Sequence, residues 1–67
     1  MSATSDFYLA RASDSARDAA ATDLANVRDR CLRSEAAWRA MAERLMRGEV
    51  ERERVAAEKA GLLGNAA

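Results

Sequence analysis

The sequence predicts an all-α fold: a two-helix antiparallel hairpin with a long second helix, self-associating into a four-helix bundle or coiled coil. Ala and Arg are the two commonest residues of the 67, and proline does not occur. This composition favours helix, because both residues are strong helix formers and proline is the strongest helix breaker. Apolar residues also recur at helical spacing. The length allows one domain, which we assign to residues 1–67.

The first helix is expected at about residues 5–21. Ser2, Thr4 and Ser5 precede Asp6. Hydroxyl side chains before an acidic first turn are typical of a helix N-terminus, where they accept hydrogen bonds from free backbone N–H groups. One face of this helix carries mostly small residues at helical spacing: Tyr8, Ala12, Ala16, Ala19 and Ala20, with Leu9 beside them. A face of this kind allows a second helix to approach closely.

A short polar segment is expected to turn the chain after the first helix. Thr22, Asp23 and Asn26 are all suitable N-cap residues for a following helix, and Asp29 lies three positions after Asn26. The alternative is one unbroken helix from residue 5 to residue 60, because the alanine-rich flanks have high helix propensity.

The second helix is expected at about residues 25–60. A heptad stripe, with alternating steps of three and four residues, consists of Leu24, Val27, Cys31, Ser34, Trp38, Met41 and Leu45. Such a stripe is typical of helices that pack along one another. Outside the stripe, charges alternate in sign at i,i+4 spacing at Glu35, Arg39, Glu43, Arg47 and Glu51. Exposed pairs of this kind contribute only about 0.2–0.5 kcal/mol each, so they indicate a solvated face.

The pattern weakens after Gly48, although Val55 and Leu62 continue the stripe at seven-residue spacing. Gly48 costs about 1 kcal/mol relative to Ala and marks a bend or a close crossing. Gly61 followed by Leu62 is typical of a left-handed C-cap. We therefore expect a frayed tail at residues 61–67.

The two predicted helices differ in length by a factor of two, about 25 Å against about 50 Å. Residues 46–60 then have no partner within the chain, and two helices cannot enclose the indole of Trp38 from all sides. A chain this short rarely stabilises itself without a disulfide or a metal. We therefore expect a homodimer, parallel or antiparallel, whose interface contains Tyr8, Leu24, Val27, Cys31, Trp38, Met41, Leu45 and Val55.

Three groups of residues allow a functional interpretation beside a structural one. Arg28, Arg30 and Arg33 are expected to pair with acidic neighbours (Asp14, Asp18, Asp23 and Asp29). The alternative is an anion or acidic-partner site, where Tyr8, Arg11 and Arg28 meet near one end of the hairpin if the turn is tight. Cys31 is expected to be a small core residue, and the alternative is a disulfide between chains. Trp38 is expected to be a core or dimer anchor, with ligand stacking as the alternative.

Composition argues against several classes of function. There is no histidine and only one cysteine, and no serine or cysteine has a base at a recognisable spacing, so we expect no catalytic, metal or cofactor site. Eleven basic residues balance eleven acidic residues, which argues against binding to nucleic acid or a membrane surface.

We expect a cytoplasmic protein-interaction module without catalytic activity, which binds itself and, through residues 46–60, another protein. The alternative is a small subunit or regulator of a larger assembly, with Trp38 and Met41 binding a partner helix.

Three segments resemble a group of short bacterial proteins of unknown function. The segments are Tyr8-x-x-Arg11-Ala12, then Val27-Arg28-x-Arg30-x-Leu32, then Trp38-x-x-Met41-Ala42-x-Arg44. The resemblance covers about residues 7–46 and implies a helical hairpin. Many of those proteins have Asp-Pro at the turn where this chain has Leu24-Ala25. The resemblance implies no chemistry.

Overall fold

The computed structural model describes the backbone of residues 2–66 and the side chains of residues 2–62. Within these residues α1 spans Ala3–Ala21 and α2 spans Ala25–Ala66, and the two helices pack against each other. The predicted all-α hairpin with a long second helix is confirmed. The alternative of one unbroken helix is wrong, because residues 22–24 are not helical.

α1 begins two residues earlier than predicted because Ser2 is its N-cap. The Ser2 backbone is extended, and its Oγ accepts a hydrogen bond from the backbone N–H of Ser5 at 3.1 Å. Asp6 lies in the first turn, where its charge suits the positive end of the helix dipole. The helix ends at Thr22, whose extended backbone (φ −101°, ψ 142°) turns the chain away from the helix axis.

The turn is built around Thr22. Its Oγ1 accepts from the backbone N–H of Leu24 at 3.2 Å, and its carbonyl oxygen accepts from Nη2 of Arg28 at 2.8 Å. The carbonyl of Leu24 accepts the first helical bond of α2, from the N–H of Arg28. Leu24 therefore holds the N-cap position. An N-cap at Asn26 is wrong, because this residue already lies inside α2.

α2 continues six residues beyond its predicted end. Gly61 lies inside the helix, and no glycine in the described part of the chain has a positive φ. The predicted left-handed cap is therefore wrong. α2 includes residues 61–66 of the segment that was predicted to fray, and residue 67 lies outside the described residues. Helical Gly costs only about 1 kcal/mol, and the alanines at 56, 57 and 60 have the highest helix propensity.

The contact between the helices is made by small side chains. Ala12, Ala19 and Ala42 are the buried apolar residues, and Ser5 is also fully enclosed. Ser5, Ala12 and Ala19 follow one another at steps of seven residues, so they form one row on α1. Ser5 is the largest side chain that is fully enclosed in the described part of the protein. The helices pack closely, but their contact encloses no large apolar side chain.

The hairpin is elongated because α2 is more than twice as long as α1. The molecule measures 65 × 16 × 12 Å, and its radius of gyration is 18.4 Å. A compact chain of this length has a radius of gyration of about 11 Å. Much of α2 therefore lies beyond the reach of α1.

Candidate functional site

Three aromatic rings, two from the first turns of α1 and one from α2, lie close together in the contact between the helices. Tyr8 lies 5.7 Å from the ring of Trp38, and Phe7 meets the same ring edge-on at 6.0 Å between ring centroids. Both distances fall in the range at which aromatic pairs attract one another. Trp38 is only half-buried, and Phe7 is 54% exposed. The three rings therefore form an aromatic cluster (Phe7, Tyr8 and Trp38) that is still open to solvent.

Arg11 extends this cluster with a positive charge. Its guanidinium carbon lies 5.6 Å from the centroid of the Trp38 ring. A cation over an indole at an exposed site contributes about 0.5–1 kcal/mol. The same guanidinium pairs with Asp14 at 3.7 Å, and Arg17 pairs with Asp14 as well. Arg11 is thus held across Trp38 by an aromatic contact on one side and a carboxylate on the other.

A chain of hydrogen bonds joins the start of α1 to α2. Ser5 Oγ donates to Oε1 of Glu49 at 3.2 Å, and the hydroxyls of Ser2 and Ser5 lie 2.7 Å apart. The first turn of α1 is therefore coupled to a carboxylate that lies 44 residues after Ser5 in the sequence.

These hydroxyls change the acidity of Glu49. Hydrogen bonding from Ser2, and then from Ser5, holds the pKa of Glu49 below its usual value of 4.5, although partial desolvation opposes the shift. Hydrogen bonds to the charged form of a carboxyl favour that form. Glu49 therefore acts as a charged acceptor that marks the point on α2 where α1 begins.

Beyond Glu49, α2 continues alone; we call residues 50–66 the extension. Val55 and Ala56 line a shallow groove there together with Glu51, Arg52 and Lys59. On another side, Arg54 pairs with Glu51 at 2.6 Å and also with Glu58. The bond to Glu51 raises the pKa of Arg54 and lowers that of Glu51. The extension thus has an apolar strip bordered by charges, and α1 does not cover it.

Most of the predicted interface residues are half-buried in the structure. Six of them lie on α2: Val27, Cys31, Trp38, Met41, Leu45 and Val55. Tyr8 is half-buried too. Leu24 differs, because it lies in the turn and is 61% exposed. Apart from Leu24, these side chains are neither enclosed in a core nor free in solvent.

The structure does not form the predicted arginine arrangements. Arg28 binds the carbonyl of Thr22, and Asp14 pairs with Arg11 and Arg17. Tyr8 and Arg11 lie beside Trp38, about 15–20 Å along α1 from the turn, so they do not meet Arg28. The predicted anion site of Tyr8, Arg11 and Arg28 is therefore wrong.

Cys31 and the charged face of α2 also differ in part from expectation. Cys31 is a free, half-buried thiol rather than an enclosed core residue. Of the alternating charges, Arg39 donates to Glu35 at 2.7 Å. Glu51 instead pairs with Arg54, three residues on, where the sequence predicted a partner four residues back.

The sequence did not indicate Ser5 and Glu49 as members of the contact between helices, and Phe7 was left out of the predicted interface. Ser5 was expected only at the helix start, and Glu49 begins an almost wholly charged stretch. The position of Arg11 beside the aromatic cluster could have been predicted from the sequence, because Arg11 follows Tyr8 by three residues and shares its helix face.

In the described part of the chain, no group of three or more acidic or thiol side chains is placed to hold a metal ion. Neither helix, over the residues described, has a segment long and apolar enough to cross a bilayer. Compared with known proteins, the chain matches no family model, no curated protein and no solved structure.

Proposed function

We propose that this protein is a small homo-oligomeric interaction module without catalytic activity, and that its basic unit is a homodimer that packs into a four-helix bundle or coiled coil. One observation carries the proposal: among the described side chains, residues 2–62, the hairpin encloses none larger than Ser5, while its aromatic cluster and most of its heptad stripe stay partly exposed. Large apolar side chains contribute about 1.5–3 kcal/mol each only when they are fully buried.

The surface area supports this reasoning. The solvent-accessible surface is 5065 Å², about 900 Å² more than the roughly 4,200 Å² expected for a compact chain of 7.3 kDa. A standard protein interface buries about 800 Å² on each partner. The excess surface of one chain is therefore of the size that one stable interface covers.

A cytoplasmic location is part of the proposal. Cys31 is a lone, half-buried thiol, and reducing compartments keep such thiols free.

Co-capture of two tagged copies tests the self-association. The full chain is co-expressed with two different affinity tags and purified through one of them, and the second tag is then measured in the eluate. We expect it at a level close to the first. A second tag found only at background, with both copies soluble, would overturn the proposal.

The second candidate is a subunit or regulator of a larger assembly. The observation that favours it is the half-exposed pair Trp38 and Met41, which could bind a helix of another protein. This candidate predicts a monomer that binds a hydrophobic dye and shows poorly dispersed side-chain NMR signals when isolated. The homodimer predicts well-dispersed signals and little dye binding.

A further inference from the structure

The extension and α1 have nearly the same length. The extension has 17 residues beyond Glu49, and α1 has 19. α2 therefore has a segment that packs against α1, up to Glu49, and a shorter segment beyond it. Two copies placed side by side in opposite directions would bring the extension of each next to the hairpin of the other.

We infer that the extension of each protomer docks beside α1 and α2 of a second copy, so that two α2 helices run antiparallel. The inference rests on the proposed self-association and specifies its geometry. Each end of the dimer then contains three helices: both members of one hairpin and the extension of the partner. The α1 helices of the two copies lie in opposite halves and approach each other only near the middle.

The heptad stripe defines the register of this pairing. In an antiparallel pair, stripe positions face each other in layers that share one midpoint. Cys31 with Leu62, and Trp38 with Val55, both have their midpoint between residues 46 and 47. The midpoint of α2 itself lies between residues 45 and 46. This register therefore overlaps the two helices almost completely, whereas a slip of one heptad would leave several residues of each helix unpaired.

Two layers of this register agree with it in side-chain size or exposure. The layer next to the midpoint joins Leu45 to Gly48, so a large residue faces the smallest one. A methyl group added to Gly48 would meet only the tip of Arg52, at 3.5 Å, so α1 does not require a glycine there. Leu62, which is 69% exposed in one chain, lies opposite the half-buried Cys31. The partner thus covers apolar surface that the chain itself leaves open.

Cysteine cross-linking of the full chain tests the register. Leu62→Cys adds a thiol to a chain that already has Cys31, and the two positions lie about 46 Å apart along one helix, so they can bond only between chains. We expect mild oxidation of this variant to give a covalent dimer with the link between positions 31 and 62. The matched control Ala57→Cys places its thiol outside the groove. We expect it to react about tenfold more slowly or less, since a disulfide requires Cα atoms within about 7 Å.

A second pair of cysteine positions tests the same register without a substitution at Leu62. The variant combines Cys31→Ser with Ser34→Cys and Lys59→Cys, whose positions also have their midpoint between residues 46 and 47. We expect an interchain disulfide between positions 34 and 59.

Three outcomes would contradict the inference. Wild-type protein that forms a disulfide between the Cys31 residues of two chains would indicate parallel helices and would overturn the inference. A dimer by sedimentation in which neither pair forms its link would overturn the inference alone. A monomer at all concentrations would overturn the proposed function as well.

Discussion

Ser5 Oγ donates a hydrogen bond to Oε1 of Glu49, and this contact joins the first turn of α1 to the middle of α2. It is the most distant contact from the turn among the hydrogen bonds between the helices. It therefore marks how far α1 reaches along its partner. Beyond Glu49, no hydrogen bond or ion pair joins the described side chains of the extension to α1, which is the physical basis for expecting a second copy.

Replacing Ser5 by alanine should loosen the start of α1. The change removes the donor to Glu49 and leaves the place of the hydroxyl empty in a fully enclosed site. We expect Ser5→Ala to be less stable than Thr4→Ala by about 1 kcal/mol, because hydrogen bonds of this kind contribute about that much. Both variants gain the same helix propensity, so their difference in chemical denaturation at equal concentration isolates the contact. Equal stability would show that the bond is not formed.

Acid should weaken the same contact. The pKa of Glu49 is lower in the folded protein than in the unfolded chain, so its stabilisation is fully present above the usual value of 4.5 and is lost as the pH falls through the lowered pKa. Glu49→Gln should therefore be less stable than wild type at pH 7 and should lose less stability on acidification. Glu53→Gln, which changes an exposed carboxylate on the same helix, should retain the wild-type pH profile of thermal unfolding. An identical profile for Glu49→Gln would contradict this assignment.

Gly61→Ala distinguishes a helical glycine from a left-handed cap. No atom lies within 4 Å of a Cβ added at Gly61, and its backbone is helical. We expect the variant to gain about 1 kcal/mol and to show more helix by circular dichroism. At a left-handed cap the same change would be destabilising, so a loss of helix would restore the C-cap predicted from the sequence.

A charge on the groove of the extension should separate the proposed dimer without disturbing the hairpin. Val55 lines the groove and lies six residues beyond Glu49, so Val55→Glu leaves the hydrogen bond between Ser5 and Glu49 unchanged. We expect the dimer dissociation constant to rise by about tenfold or more, because an unpaired charge would be buried in the interface. Val50→Glu is the matched control, since Val50 is 65% exposed and does not line the groove. Equal weakening by both variants would remove the groove from the interface.

The sequence predicted the local features of the hairpin and missed its long-range contacts. The end of α1 and the half-buried edge of α2 follow from alanine content and from steps of three and four residues, which are local properties. The contact of Ser5 with Glu49 depends on the relative register of the two helices. That register is decided by the turn at Thr22, where several caps were equally suitable. Phe7 was left out of the predicted interface because neighbouring residues on a helix point in different directions, yet the indole of Trp38 is large enough to meet both Phe7 and Tyr8.

The mass of the protein in solution tests the central claim, that one hairpin leaves too much apolar surface open to exist alone. Sedimentation velocity of the full chain from nanomolar to high micromolar concentration, with quenching of Trp38 fluorescence recorded in parallel, measures association and shielding together. We predict a shift from the mass of one chain to that of two as concentration rises, with quenching falling over the same range. A single chain at every concentration, melting cooperatively with Trp38 already shielded at the lowest one, would contradict the account.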